Sequence, residues 1–199
     1  MYIVEDILAM FGAIVTLTVV SMIAYNDTDE KPIEVVEVHQ ETEVIPSWYQ
    51  IAEQETECLA TNIYFEARGE SFEGQKAVAF VTLNRVESDK FPNDICSVVY
   101  QAKHSRWWAE HRDRLVPIRN QCQFSWYCDG KSDAIRNSYE YQRLYRLASE
   151  VIIGKYQDNT GGAVYYHADH VNPDWRLAFT RTTKIDAHIF YASLDNAYN

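Results

Sequence analysis

Positive charge is scarce in this 199-residue chain: 18 Lys and Arg stand against 29 Asp and Glu, for a formal net charge of −11. General nucleic-acid binders usually present a basic patch, so that class is set aside and no nucleic-acid partner is expected. Other signatures are missing too. There is no G-x-S-x-G, Ser125 in FSW lacks the glycines of a nucleophile elbow, and no cysteine has an evident His partner nearby in sequence. The four cysteines, Cys58, Cys96, Cys122 and Cys128, fit no common zinc spacing. No internal repeat is visible, and the length suits one domain with a real core plus some extra.

An even number of cysteines is compatible with disulfides in an exported domain. A Cys122–Cys128 bridge would close a short loop and leave Cys58–Cys96 as the second, although four cysteines permit three pairings. Free buried thiols are the alternative.

The acidity is concentrated. Between Asn26 and Ile45 seven acids face only Lys31, while the chain beyond Pro46 is close to neutral. Ahead of that segment, residues 7–25 (ILAMFGAIVTLTVVSMIAY) carry no charge over 19 positions, near the length a helix needs to cross a bilayer. No Lys or Arg precedes the run, and neither the basic n-region nor a clear cleavage site of a signal peptide is present. The expected organisation is therefore an uncleaved transmembrane anchor (1–25), an acidic, solvated linker (26–46) and a globular domain (47–199).

Periodicity predicts helices over about 53–68 and 72–88, the second apolar around most of its circumference and so central. A short third helix follows at ICSVVYQ, and a fourth over about 133–153 carries a stripe from Ile135 to Ile152 and stops at Gly154. Residues 102–131 show no long period and read as a long loop or lobe. The tail switches to β-like runs, AVYYHA, LAFTRTTKI and HIFYAS. The class is α+β, mainly helical with a small β element.

Residues 63–70 read IYFEARGE. Glu66 and Glu70 would share a face of a continuing helix, but Gly69 and Ser71 look like a helix stop and the next N-cap. Glu66 then sits in the last helical turn beside Tyr64 and Phe65. Partial burial there would raise its pKa and keep it protonated, as a general acid requires. The bland alternative is a solvated helix-end charge. Arg68 reads as a structural partner for Glu70 or Glu73. His167-Ala168-Asp169-His170 offers two imidazoles three apart, yet zinc proteases place H-E-x-x-H on a helix, so no metal or other cofactor is expected and His167 reads as packed or groove-lining. Aromatics make up 14% of the chain, including fourteen Tyr and five Trp; most read as core, with a groove for a flat, hydroxylated ligand such as a sugar chain as the alternative.

The run IYFEARGESFEGQKAVAFVTLNRVESDKFPNDICSVVYQ resembles the SleB/CwlJ-type cell wall hydrolases, the spore-cortex-lytic family. Three further blocks agree: CQFSWYCDGKSD, NTGGAVYYHADHVNPDW and KIDAHIFY. The resemblance spans about residues 56–192 and implies a lysozyme-like catalytic domain acting on peptidoglycan glycan strands. It implies that Glu66, first of the E-A-R-G-E block, is the essential acid. Phe124, Trp126, Tyr165 and Tyr166 fall in the shared blocks and are candidates for lining a sugar cleft, with His167 beside them. Asn84 and Arg85 also match, in a structural role.

Hydrolysing glycosidases usually need two carboxylates. One strong acid is visible here, with Glu70, Glu73, Asp129 and Asp174 as possible seconds. A lytic transglycosylase works with one glutamate, and the resemblance favours it. The alternatives are a hydrolytic N-acetylmuramidase of endolysin type, a wall-binding protein without catalysis, and a cysteine-based amidase. A peptidoglycan substrate would place the domain outside the cytoplasmic membrane, in the periplasm or extracytoplasmic space, with the N-terminal helix as its membrane anchor.

Overall fold

A computed structural model describes residues 47–193. The expected anchor and acidic linker lie outside the described residues. Among the described residues, no helix is long and apolar enough to cross a membrane.

Helix α1 (Ser47–Ala67) buries Leu59, Ala60, Ile63 and Ala67, positions spaced to form one stripe. It starts earlier than its apolar period suggested. Helix α2 (Phe72–Val86) opens with the expected cap, the Ser71 hydroxyl accepting from the Gly74 N–H. It is buried from Ala77 to Thr82 without interruption, which makes it the central helix. Each fully buried aliphatic side chain in this core contributes about 1.5–3 kcal/mol relative to exposure. Helix α3 (Ile95–Val99) is capped by Asp94, whose carboxylate accepts from Ser97 N–H at 2.7 Å. Glu55 on α1 accepts from the Ile95 N–H at 2.6 Å, and the Cys58–Cys96 disulfide fastens α1 to α3.

The stretch expected to be a long loop is partly ordered. Strands β1 (Ala102–His104) and β2 (Pro117–Cys122) pair antiparallel around helix α4 (Arg106–Arg112), and a 3-10 turn, Ser125–Cys128, follows. The second disulfide is Cys122–Cys128, so the pairing preferred among the three possible is the one found. Helix α5 (Ser138–Ile152) begins five residues later than the expected 133, because Asn137 caps it by accepting from the Glu140 N–H. Ile135 therefore lies before the helix and is exposed, whereas Leu144, Ala148 and Val151 pack into the core against α1. Gly154, at φ +75°, ends it in the left-handed region that favours glycine.

The last three strands, β3 (Tyr165–Ala168), β4 (Thr180–Ile185) and β5 (His188–Ala192), form an antiparallel sheet in the order β3-β5-β4. Leu177 and Ala178, expected in a strand, belong instead to a 3-10 turn, Asp174–Ala178. Alternation gives the sheet two faces. Phe190, with Tyr166 beside it, packs on Ala77 and Val81 of α2; Tyr165, His167 and Tyr191 face the other way, toward Trp175. The α+β expectation holds.

Candidate active site

Glu66 sits one residue from the end of α1 and is half-buried. The register of β3 against β5 turns Tyr166 to the helical side, where its hydroxyl donates to Glu66 Oε2 at 2.8 Å. Tyr166 is held edge-on to His188 and tilted on Phe190. Glu66 Oε1 has no hydrogen-bond partner among the described residues. Burial raises the Glu66 carboxyl above its ordinary value; the Tyr166 hydrogen bond and the nearby Arg85 charge draw it part of the way back. Burial and the Glu66 charge keep the Tyr166 phenol far above its usual range, so it acts as a donor.

Arg85, in the last turn of α2, is buried, and burial pushes its guanidinium down to about 10. Its Nε donates to Val164 O at 2.8 Å and its guanidinium lies over the rings of Phe124 and Phe91, at 4.7 and 5.4 Å. Nη1 is buried with no hydrogen-bond partner among the described residues. A purely structural reading of Arg85 thus missed its charge beside the acid. The available signal was a cation in a helix that had to be buried on all sides, since a buried cation needs an anion nearby. Asn84 is structural as expected, donating to Asp158, Thr160 and Ala163 O.

The turn after Glu66 is fixed from both sides. Gln75 Nε2 donates to Arg68 O and Glu70 O, and Gln75 Oε1 accepts from Arg143 at 2.7 Å. Asp186, in the β4–β5 turn, accepts from Ser71 N–H and Oγ at 2.9 and 2.6 Å, and Glu70 accepts from Ala187 N–H. Gly74 makes this possible, because a Cβ there would strike Asp186 Oδ2 and come within 2.9 Å of Glu70 Cβ. Gly69 is not in the left-handed region and has open space around it, so the chain turns by the Ser71 cap and these bonds, not by glycine freedom. Arg68 does not pair with Glu70 or Glu73; it bonds Tyr64 O and lies over the Tyr64 ring.

A cleft of about 330 Å³ opens beside this helix end, lined by Tyr64, Phe65, Trp126, Arg68, Asp133 and Arg136 among others. The Glu66 carboxyl is adjacent in sequence but does not line it. Trp126 stacks on Phe65 at 4.7 Å and is anchored by its N–H to Asn62, which in turn donates to Thr82. Phe124 is buried beneath Arg85 and Tyr165 is half-buried against Phe179. His167 is buried on the outer sheet face with both ring nitrogens engaged, by Ala168 O and the Tyr191 hydroxyl, while His170 is exposed. Phe124, Trp126, Tyr165, Tyr166 and His167 therefore do not form one surface.

The four further carboxylates are dispersed. Glu73 is held low by Lys76, Glu70 is bonded to Ala187 N–H, and Asp174 is exposed at the start of its 3-10 turn. Asp129 lines the cleft, with its carboxyl held low by the Lys131 N–H and ammonium. Among the described residues, no hydrogen bond or ion pair joins any of the four to Glu66.

Residues 69–191 match the Cell Wall Hydrolase family, a match that begins three residues after Glu66. The chain is 29% identical over 147 residues to the spore cortex-lytic enzyme of Bacillus cereus, covering 73% of this chain and 46% of that protein. It is 26% identical to the spore cortex-lytic enzyme of Halalkalibacterium halodurans, covering 73% and 36%. It thus spans less than half the length of these curated relatives. A solved structure, the catalytic domain of the germination-specific lytic transglycosylase SleB from Bacillus anthracis, is similar at 28% identity and a TM-score of 0.46, over 74% of this chain and 99% of that one.

Proposed function

The chain belongs to the cell wall hydrolase family, and from that premise we propose that it is a lytic transglycosylase. It cuts peptidoglycan glycan strands between N-acetylmuramic acid and N-acetylglucosamine, with Glu66 as general acid and then general base. The observation that carries this reading is the Glu66 carboxyl: half-buried, raised above its ordinary value, held at one oxygen by Tyr166 and unpartnered at the other.

Protonated Glu66 gives its proton to the glycosidic oxygen as the bond from C1 breaks. The carboxylate so formed takes the proton of the muramyl C6 hydroxyl, whose oxygen bonds C1 and closes a 1,6-anhydro ring. No water is consumed and the acid is regenerated. Burial favours the starting acid; the Tyr166 hydroxyl and the Arg85 charge stabilise the carboxylate as it develops. We assign the Tyr64–Phe65–Trp126 cleft to sugar binding, with Phe124 acting through Arg85.

A hydrolytic N-acetylmuramidase would need a second carboxylate to activate water. Asp129 is the one candidate that lines the neighbouring cleft, which makes this the second reading. Either reaction places the domain outside the cytoplasmic membrane, with residues 1–25 as the anchor; two disulfides favour that compartment. The test compares the full chain with Glu66→Gln on purified peptidoglycan. Release of soluble glycan by the wild type and its loss in the variant support the reading, whereas equal release refutes the role of Glu66. A folded wild type that binds the wall without cutting it would be a binding protein.

A further inference from the structure

The sheet has a face that this chemistry does not use. With the paired Tyr166 and Phe190 turned toward α2, the next pair along the strands, His167 and Ile189, and Tyr191 on the other side of Phe190 lie on the outer side. There a cavity of about 500 Å³ opens, walled by Tyr191, Ile189, Phe179 and Leu177 and flanked by Arg176 and Arg181.

Its charge is unbalanced. Arg181 has no side-chain hydrogen bond or ion pair among the described residues. Arg176 engages Asn172 through Nε, leaving its terminal nitrogens without a partner among the described residues. Asp169, the only carboxylate among the lining residues, is already ion-paired with Lys184 at 2.7 Å. Two guanidiniums with no protein partner for their terminal nitrogens among the described residues, beside an apolar wall, match a ligand that carries a carboxylate and small aliphatic groups, since the planar fork of Arg takes a carboxylate through two parallel hydrogen bonds. Sugar hydroxyls would leave both charges unanswered. A phosphate polymer would answer the charges but not the wall of Ile189, Leu177 and Phe179.

We propose that this cavity binds the peptide stem of peptidoglycan, a stem carboxylate meeting Arg176 and Arg181 and its short side chains lying on the apolar wall. The proposal rests on peptidoglycan being the substrate, and adds a second point of recognition on the opposite sheet face from Glu66.

The test is calorimetric titration of the full chain with soluble tetrapeptide stems released from sacculi by an amidase. Wild type, Arg181→Gln and Arg176→Gln are compared, and the wild type is also titrated with stems whose carboxylates are amidated. The proposal expects binding by the wild type, weakened about tenfold or more by either substitution and likewise by amidation. Unchanged thermal midpoints in the variants show that folding is intact. Absence of wild-type binding, or equal binding by Arg181→Gln, overturns the site; inorganic phosphate binding in an Arg181-dependent way where stems do not bind overturns it in favour of a phosphate ligand. Sacculus cleavage is scored separately. Stem binding without cleavage refutes the transglycosylase and leaves the site standing, and cleavage without stem binding does the reverse.

Discussion

Replacing Tyr166 by Phe removes one oxygen from the acid's surroundings and leaves the ring in its place against His188 and Phe190. The lost bond is the 2.8 Å hydrogen bond to Glu66 Oε2. Hydrogen bonds to charged groups contribute about 1.5–3 kcal/mol, and this one is strongest when Glu66 is a carboxylate, after it has given up its proton. If that loss falls on the transition state, kcat drops by about 10- to 150-fold while KM changes little. The pH profile moves as well. The Tyr166 bond lowers the Glu66 pKa, so its removal raises that pKa further, and the alkaline limb, where the acid form is lost, shifts to higher pH. The assay is the initial rate of soluble muropeptide release across pH for Tyr166→Phe and wild type. A lower plateau with a limb displaced upward agrees with the reasoning; an unchanged plateau and limb, or a limb displaced downward, refutes it.

Gly74→Ala forces Asp186 away from Ser71, giving up two hydrogen bonds to a carboxylate, and should cost about 1–3 kcal/mol, read as a lower thermal midpoint. The Cys58–Cys96 bridge spans 38 residues and Cys122–Cys128 only 6, so by loop entropy paired Cys→Ser substitution at the first costs about 4 kcal/mol and at the second about 2, an order that chemical denaturation checks. Glu66→Gln should stabilise the fold near neutral pH. The raised folded pKa means that the stability Glu66 contributes is full below the ordinary carboxylate range and lost as pH rises through that raised value, a loss glutamine does not suffer. The gain should vanish on acidification; a variant no more stable than wild type at neutral pH would contradict the burial of the acid.

The three longest helices were legible in the sequence, because Leu59 to Ala67 and Leu144 to Val151 place apolar residues at helical spacing and Ala77 to Thr82 is an unbroken, almost wholly apolar run behind a recognised cap. Strands β1 and β2 and helix α4 were not, since elements of 3, 6 and 7 residues are too short to show a period. Helix ends followed caps where a cap was recognised: Ser71 fixed the start of α2, while Asn137 was overlooked and the start of α5 was placed too early. In the site, Glu66 was singled out by its aromatic neighbours, its place at a helix end and the resemblance of its E-A-R-G-E block. Its bond to Tyr166 was not, because the two are 100 residues apart and only the sheet register turns that ring inward. The expected Arg68 pairing failed for a local reason: Lys76 and Asn159 take Glu73, and the Ala187 N–H takes Glu70. Phe124 was read as cleft-lining from its place in the sequence, and burial sets it beneath Arg85; His167, read as packed or groove-lining, packs on the outer sheet face, away from the Tyr64–Phe65–Trp126 cleft.

In the proposed reaction one carboxyl acts twice and no water enters. Mass spectrometry of the muropeptides released from purified peptidoglycan, with Glu66→Gln digested in parallel, decides both points. Wild-type products should end in 1,6-anhydro-muramic acid, each one water lighter than its hydrolytic counterpart, and the variant should yield none. Reducible muramic acid ends in the wild-type digest would contradict the proposed reaction and turn attention to Asp129.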